Sequence, residues 1–558
     1  MPFRLTTIFC LTLMAYFTSA RVDASPQATL LLHDGKIWTG DEQNPAASAL
    51  AVLGERIVFV GSDDDAARWR GPQTRVIELA GRRVVPGFID SHVHFVDGGE
   101  EILAPDLRSA RSEDEFARRL AAAAAELPAG TWLTAGSWDH ENWPGGELPT
   151  KTLLDRHVPE HPVFVARLDG HMALANGLAM RLAGISRETR APEGGEIERD
   201  EDGEPTGVFK DNAMGLVRTA IPPRSREDRR RFALAAIEHA ARLGVSGVHD
   251  VAVSLDDFAV YQELLAEGLL TVRVTLYPPL ATRASWETVR VRRGFGNDRL
   301  RICGLKGFAD GSLGSSTAYF LAPYLDDPGE DGLPIMDLGP GGPMERHVRA
   351  TVAAGLQPAI HAIGDRAIRE VLDIFAGLAG EATSRRARAR VEHAQHIHPA
   401  DLDRFAALGV VASMQPYHAI DDGRWAEDRI GKERCATTYA FRDLLDRAAA
   451  LAFGSDWPVA SLSPMEGIYA AVTRRTLDGK HPEGWIPAQR IRVEEAVRAY
   501  TAGSAYAGFA ESEVGVLKPD FLADLVVLSE DIFTIEPASI RDVRVDLTVA
   551  GGAVVHER

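Results

Sequence analysis

Two histidines one residue apart, His92 and His94, close an apolar and β-branched run at 84–95. Side chains alternate faces along a strand, so both imidazoles point the same way and could grip one metal ion. An H-x-H pair alone is weak evidence. Four more potential ligands raise its weight: Lys306, His361, His393 and Asp456 each stand at the end of an apolar run of their own. A charged lysine is costly to bury. Lys306 therefore either pairs with a carboxylate such as Asp310 or stays neutral beside a metal. A neutral amine there can take up carbon dioxide as a carbamate whose oxygens bridge two cations. His361 and His393, read singly, are satisfied core residues; with the H-x-H pair they make four imidazoles. Imidazoles, a carbamate and a carboxylate suit Zn2+ or a similar divalent metal, one or two ions per subunit. Asp456 could ligate the metal weakly and take a proton from water whose pKa a metal lowers to about 7. Its plainer alternative is a helix N-cap. His396 and His398 read as loop residues.

Bringing these side chains together takes parallel strands. Apolar strand patterns at 84–89, 245–251, 272–277, 304–308, 358–363, 391–395, 410–415 and 451–455 alternate with helical runs such as 231–242 and 366–378. This spacing predicts an α/β fold, a (β/α)8 TIM barrel, with its site at the C-terminal strand ends. The stretch from His94 to Val245 is far too long for a βα loop. Residues 98–221 are therefore expected to be an inserted subdomain over the site, with strands at 131–136 and 163–168 and a hairpin at 196–199 and 206–209. Short β patterns at both ends predict one composite β-sandwich, because neither end buries enough surface alone. The expected division is 25–85 with 510–558 for the sandwich, 86–97 with 222–509 for the barrel and 98–221 for the insertion.

Residues 1–24 read as a cleavable signal peptide: Arg4, a short apolar core at 5–17, then small residues. A membrane anchor is the alternative, but the apolar run is short for a span. The mature chain is expected to be secreted or periplasmic, with no membrane contact. The 61 Lys and Arg against 80 Asp and Glu leave a net charge of -19, which argues against a nucleic-acid partner. Beyond the signal only Cys303 and Cys435 remain, expected as buried free thiols, and a cysteine-based metal site is excluded.

The order H-x-H, Lys306, His361, His393, Asp456 resembles the amidohydrolase superfamily of metal-dependent hydrolases. Pro86-Gly87-Phe88-Ile89-Asp90-Ser91-His92-Val93-His94 is similar to its first-strand signature. Leu517-Lys518-Pro519-Asp520 with Ala523-Asp524-Leu525-Val526-Val527 resembles its C-terminal signature, Asp520 standing where glycine is more usual. Asp169-Gly170-His171, Phe308-Ala309-Asp310-Gly311-Ser312-Leu313-Gly314 and Gly454-Ser455-Asp456-Trp457-Pro458 resemble the subgroup, amidohydrolase family 3, with N-substituted formamide deformylase and YtcJ-like hydrolases. The resemblance implies hydrolysis of a non-peptide amide or formamide-like C–N bond by metal-activated water. His92, His94 and Asp456 would hold one metal, His361 and His393 a second, and a carboxylated Lys306 would bridge them. Asp456 and Lys306 would be the catalytic residues, with Asp456 relaying the proton to the leaving amine. His171 is implied as a substrate contact, Asp169 being alternatively a helix cap. Trp138, with Asp139 and His140, could line the overhang; Gln415, Tyr417 and His418 could face the substrate; Trp457 walls the pocket or packs behind it. A small-molecule substrate and a homo-oligomer fit this picture. Two other readings stay open: lactone, ester or cyclic-amide hydrolysis on the same metal core, and a non-catalytic periplasmic metal- or ligand-binding protein.

Overall fold

The computed structural model describes residues 27–378 and 384–558; the expected signal peptide lies outside them. Eight parallel strands carry the site: β1 Phe88–Val93, β2 Val245–Val251, β3 Arg273–Tyr277, β4 Gly304–Phe308, β5 Gln357–Ala362, β6 Arg390–His393, β7 Val411–Met414 and β8 Ala450–Phe453. They form two arcs, β1-β2-β3 and β4 through β8, each strand parallel to the next. Leu300–Ile302 pairs in parallel with β3, and one residue later the same run continues as β4, so the fourth strand reaches further back than 304–308. Parallel bridges at Pro279–Lys306 and Val93–Trp457 span the two seams. The arrangement is consistent with a (β/α)8 barrel. The strands are buried on both faces, as a parallel sheet under helices must be.

The expected strand at 84–89 is two strands broken at Gly87. Arg83–Pro86 pairs with Lys36–Trp38 and Leu525–Leu528, and only after the glycine does the chain enter β1. Gly87 donates its N–H to the Asp524 carbonyl at 2.9 Å, and a Cβ there would stand 2.2 Å from Ser246 Oγ. The six-stranded sheet that Arg83–Pro86 joins draws strands from both ends of the chain and faces a four-stranded sheet of N-terminal strands. Leu32, Leu50, Val84, Leu525 and Val527 share the core between them. Asp524 ties this layer to the barrel through a two-pronged ion pair with Arg273, at 2.6 and 2.9 Å. Asp520 has φ of 72°, the left-handed region where glycine fits most easily, which accounts for the glycine expected there.

Between β1 and β2 lies a separate antiparallel sheet, Gly195–Arg199, Pro205–Asp211, Met172–Ala175 and Phe164–Ala166, in that order. It has its own core of Phe116, Leu120, Trp143, Leu154 and Val165. The strand expected at 131–136 does not form. That stretch makes one isolated bridge, Leu133 to Val163, and Gly136 turns it away at φ of 94°. Both cysteines, Cys303 and Cys435, are free and buried. Among the described residues no helix is long and apolar enough to cross a membrane.

Candidate metal centre

His92, in β1, is fully buried and ends where the strands converge. Its ring centre lies 5.9 Å from that of His94 and 4.7 Å from that of His393; His393 is 4.5 Å from His361. The four imidazoles expected from scattered strand ends thus form one cluster. Asp456 joins it from the far side of β8, with Oδ1 at 3.3 Å from His92 Nε2 and 3.4 Å from His94 Nε2. Lys306 Nζ stands 3.2 Å from His92 Nε2. It does not pair with Asp310, whose carboxylate instead accepts the backbone N–H groups of Tyr319, Ile363 and Gly364. Burial pushes the Lys306 amine down to about 8, so a neutral form is accessible near neutral pH.

The rings are held by partners behind them. His92 Nδ1–H donates to Glu392 Oε2 at 2.6 Å. Burial would raise the Glu392 carboxyl, but Arg390, bonded to it twice, holds it well below the carboxylate range, so Glu392 can only accept. That leaves His92 Nε2 as a lone pair facing the Lys306 amine and Asp456, and burial, aided by Lys306, lowers His92 to about 4. His393 Nδ1–H donates to Gln415 Oε1 at 2.9 Å, and His361 Nε2–H donates to the Gly311 carbonyl at 3.0 Å. Partners of this kind fix which nitrogen faces a metal. His393 and Asp456 both have left-handed backbone, φ of 72° and 62°. Such strain costs of order 1–3 kcal/mol per residue and persists where the surroundings impose it.

The residues present fit a divalent cation. Asp456 Oδ1 is buried and has no hydrogen-bond partner, yet it faces the His92 lone pair. Acceptor against acceptor, desolvated, is unfavourable by a few kcal/mol unless a cation or proton lies between. His92, His393 and Asp456 bring ligand atoms within 4.8 Å of one another. His393 stands between the two expected pairs, its ring centre 4.5 Å from that of His361 and 4.7 Å from that of His92.

Above the cluster opens a cavity of about 850 Å³ between the barrel and the insertion. His171 reaches into it, its ring 4.9 Å from that of His361, with Nδ1 bonded to Asp211 at 2.6 Å. Burial lowers the His171 pKa, but Asp211 outweighs it and the net shift is upward. Asp169 also lines the cavity. It caps no helix: it accepts from Arg167, Ser312 and Ser315, tying the insertion to the loop after β4.

Three expected substrate contacts lie elsewhere, and Trp457 takes the second of its two expected places. Trp138 is fully buried in the insertion core, its indole N–H donating to the Val165 carbonyl. Gln415 is buried behind His393 rather than facing the cavity. Tyr417 packs half-buried against the barrel's apolar core, and it is its neighbour His418 that lines the cavity. Trp457 packs behind the wall, stacked on His239 at 5.5 Å and against Phe95. Residues the motifs did not flag include Arg390, Glu392, Asp211 and Arg167. Arg390 and Glu392 carried a signal: two opposite charges at i and i+2 share one face of a strand that is otherwise buried.

The sequence pattern of the amidohydrolase family matches residues 75–556. LONG AFTER FAR-RED 3 of Arabidopsis thaliana is 38% identical over 90% of this chain and 87% of its own. The Bacillus subtilis protein YtcJ is 32% identical over 94% of this chain and 99% of its own, and the N-substituted formamide deformylase of Arthrobacter pascens is 27% identical over 95% and 98%. A crystal structure of a metal-dependent hydrolase from Pyrococcus horikoshii superposes with a TM-score of 0.74 at 30% identity, covering 91% of this chain and 99% of that one. The chain belongs to the amidohydrolase family, in the family 3 group with YtcJ and N-substituted formamide deformylase.

Proposed function

We propose that the protein is a metal-dependent hydrolase of a small molecule, cleaving an amide or formamide-like C–N bond that is not a peptide bond. The observation that carries this is the buried, partnerless Asp456 oxygen beside the His92 imidazole at the floor of a large cavity. Membership of the family and the Pyrococcus neighbour support it. His92, His94, His361, His393 and Asp456 would hold Zn2+ or a similar divalent cation, one or two ions, with Lys306 as a further ligand if carboxylated. The cation would supply Lewis acidity, lowering the pKa of water and polarising the substrate carbonyl.

The protein's own groups then do the rest. Asp456 accepts a proton at its free carboxylate oxygen and passes it to the departing amine. His171, oriented by Asp211, donates a hydrogen bond to the substrate from above. Glu392 and Gln415 keep the lone pairs of His92 and His393 turned inward. A closed (β/α)8 barrel formed by 86–97 and 222–509 would carry this machinery. The segment 98–221 would select the substrate, and 25–85 with 510–558 would brace the barrel. The leading residues would direct the chain to the periplasm or outside the cell, where it would act alone or as a homo-oligomer.

The test is a panel of N-formyl, N-acyl, ester and lactone substrates, assayed before and after chelation and after divalent metal is restored. Turnover of an N-formyl or N-acyl compound, lost on chelation and regained with metal, is expected. Undiminished turnover after complete metal removal, or turnover of esters and lactones alone, would overturn the reading.

A further inference from the structure

Replacing a buried ion pair by apolar side chains of similar volume is often neutral or stabilising, so a fully enclosed pair calls for a reason other than stability. Arg390 in β6 and its partner Glu392 are both fully buried among the parallel strands. Every nitrogen of the guanidinium donates. Nε bonds Glu392 Oε1 at 2.6 Å. Nη1 bonds His249 Nδ1 at 3.0 Å and the Tyr277 hydroxyl oxygen at 2.9 Å. Nη2 bonds the Ser91 carbonyl at 2.7 Å, the Ser413 hydroxyl at 2.9 Å and Glu392 Oε2 at 3.0 Å. One side chain thus holds partners from β1, β2, β3, β6 and β7, all of them buried.

The direction of these bonds matters at the far end of the chain. A guanidinium can only donate, and its planar fork fixes the plane of the carboxylate it meets. Glu392 Oε2 therefore accepts from Arg390 and cannot rotate away from His92, whose Nδ1 it meets at 2.6 Å. His92 Nε2 is left as the ligating nitrogen, and it is the one that faces Asp456 at 3.3 Å. The fork itself is held from behind. Tyr277 gives its own hydrogen to Gln357 Oε1 at 2.7 Å, so its oxygen is free to accept from Arg390. A Cβ at Gly508 would stand 2.5 Å from His249 Nε2, so the His249 ring has no room to swing. A lysine ammonium at this place would be a point charge without the fork.

Resting on the metal-dependent reading, we infer that Arg390 is a positioning residue for the metal: its fork locks Glu392, Glu392 holds the Nδ1–H of His92, and the strength of His92 as a ligand is set two side chains away. The experiment measures Zn2+ affinity by competition with a chromophoric chelator. It compares the full-length protein with Arg390→Met, Arg390→Lys and the double variant Arg390→Met/Glu392→Gln, which strands no charge and so guards against loss of the fold. Spectra of 15N-histidine in the metal-free proteins, assigned with His92→Gln, report the His92 tautomer. The wild type should show the Nδ1–H form alone. Arg390→Met and the double variant should bind Zn2+ about 10–100-fold more weakly and show His92 as a mixture of tautomers, with Arg390→Lys recovering part of the affinity. Wild-type Zn2+ affinity or an unchanged His92 signal in either Met variant would overturn the inference, whatever happens to thermal stability. So would a mixture or the Nε2–H form in the metal-free wild type, an arm that needs no variant to fold. Failure of the wild type to bind Zn2+ would instead fell the metal reading, while the His92 tautomer would still show whether Arg390 sets it.

Discussion

In the insertion, Arg167 has an acceptor for each of its nitrogens: His140 at 3.3 Å, Asp169 at 2.7 Å and Asp139 at 3.1 Å. At the barrel mouth, Asp456 has no donor for its buried Oδ1, and the His92 nitrogen nearest to it is a lone pair. Both regions bury charge. Around Arg167 the charges are neutralised by neighbouring side chains, whereas at the strand ends a buried carboxylate oxygen faces an imidazole lone pair, an arrangement that a cation would complete. Protein-closed networks rigidify a structure, and open ones mark where a ligand belongs. The carboxyl pKa values follow the same division. Burial would raise Asp169, but Arg167 brings it down to about 2. Asp250, beneath the cluster with only the Tyr261 hydroxyl and the Phe95 N–H as donors, is pushed by burial up to about 7.

The largest expected effect breaks the open side. Asp456→Asn should lower kcat by about 10³-fold or more with the fold intact, since it removes both a metal donor and the proton acceptor. Wild-type turnover in that variant, measured alongside thermal unfolding, would mean the partnerless oxygen has no function. The next breaks the closed side. Arg167→Met should destabilise the fold by about 3–5 kcal/mol in denaturant unfolding, because it removes the buried cation that lies between the carboxylates of Asp139 and Asp169. A change below about 1 kcal/mol would remove the contrast drawn between the regions.

Gln415→Ala tests whether the groups behind the rings serve the metal. Its metal affinity is expected to fall about 10–100-fold in competition titrations, while KM stays near wild type. A raised KM at full metal loading would return Gln415 to the substrate. The smallest effect is a pair of opposite pH slopes. A folded pKa above the ordinary value of 3.8 gives a contribution that is present below 3.8 and lost as pH rises through about 7. A depressed one gives a contribution present above 3.8 and lost as pH falls through about 2. The stability of wild type relative to Asp250→Asn should therefore decline from pH 4 to 7. Relative to Asp169→Asn it should decline only toward pH 2. Parallel slopes would show that the two acids do not differ in environment.

Much of the parallel strand set was legible because the strands are buried on both faces and read as unbroken apolar runs, and the 245–251 pattern matches β2 residue for residue. The break at Gly87 was not legible, since a glycine between two apolar stretches looks the same whether the chain stays in one sheet or passes to another. The stretch at 131–136 had strand composition but no neighbour to pair with beyond one bridge. Trp138 misled for a related reason: an aromatic beside Asp139 and His140 resembles a pocket lining, and only packing against Phe116 and Trp143 assigns it to a core.

The sequence by itself determined which side chains could ligate and that they sit at strand ends, because the period of a strand and the cost of burying polar groups are local properties. The tertiary structure alone decided which charges cancel. Arg273 closes on Asp524, Arg224 on Asp97 and Arg167 on Asp139. Pairing depends on distances of a few ångströms between residues that can lie far apart along the chain. A linear pattern does not hold those distances.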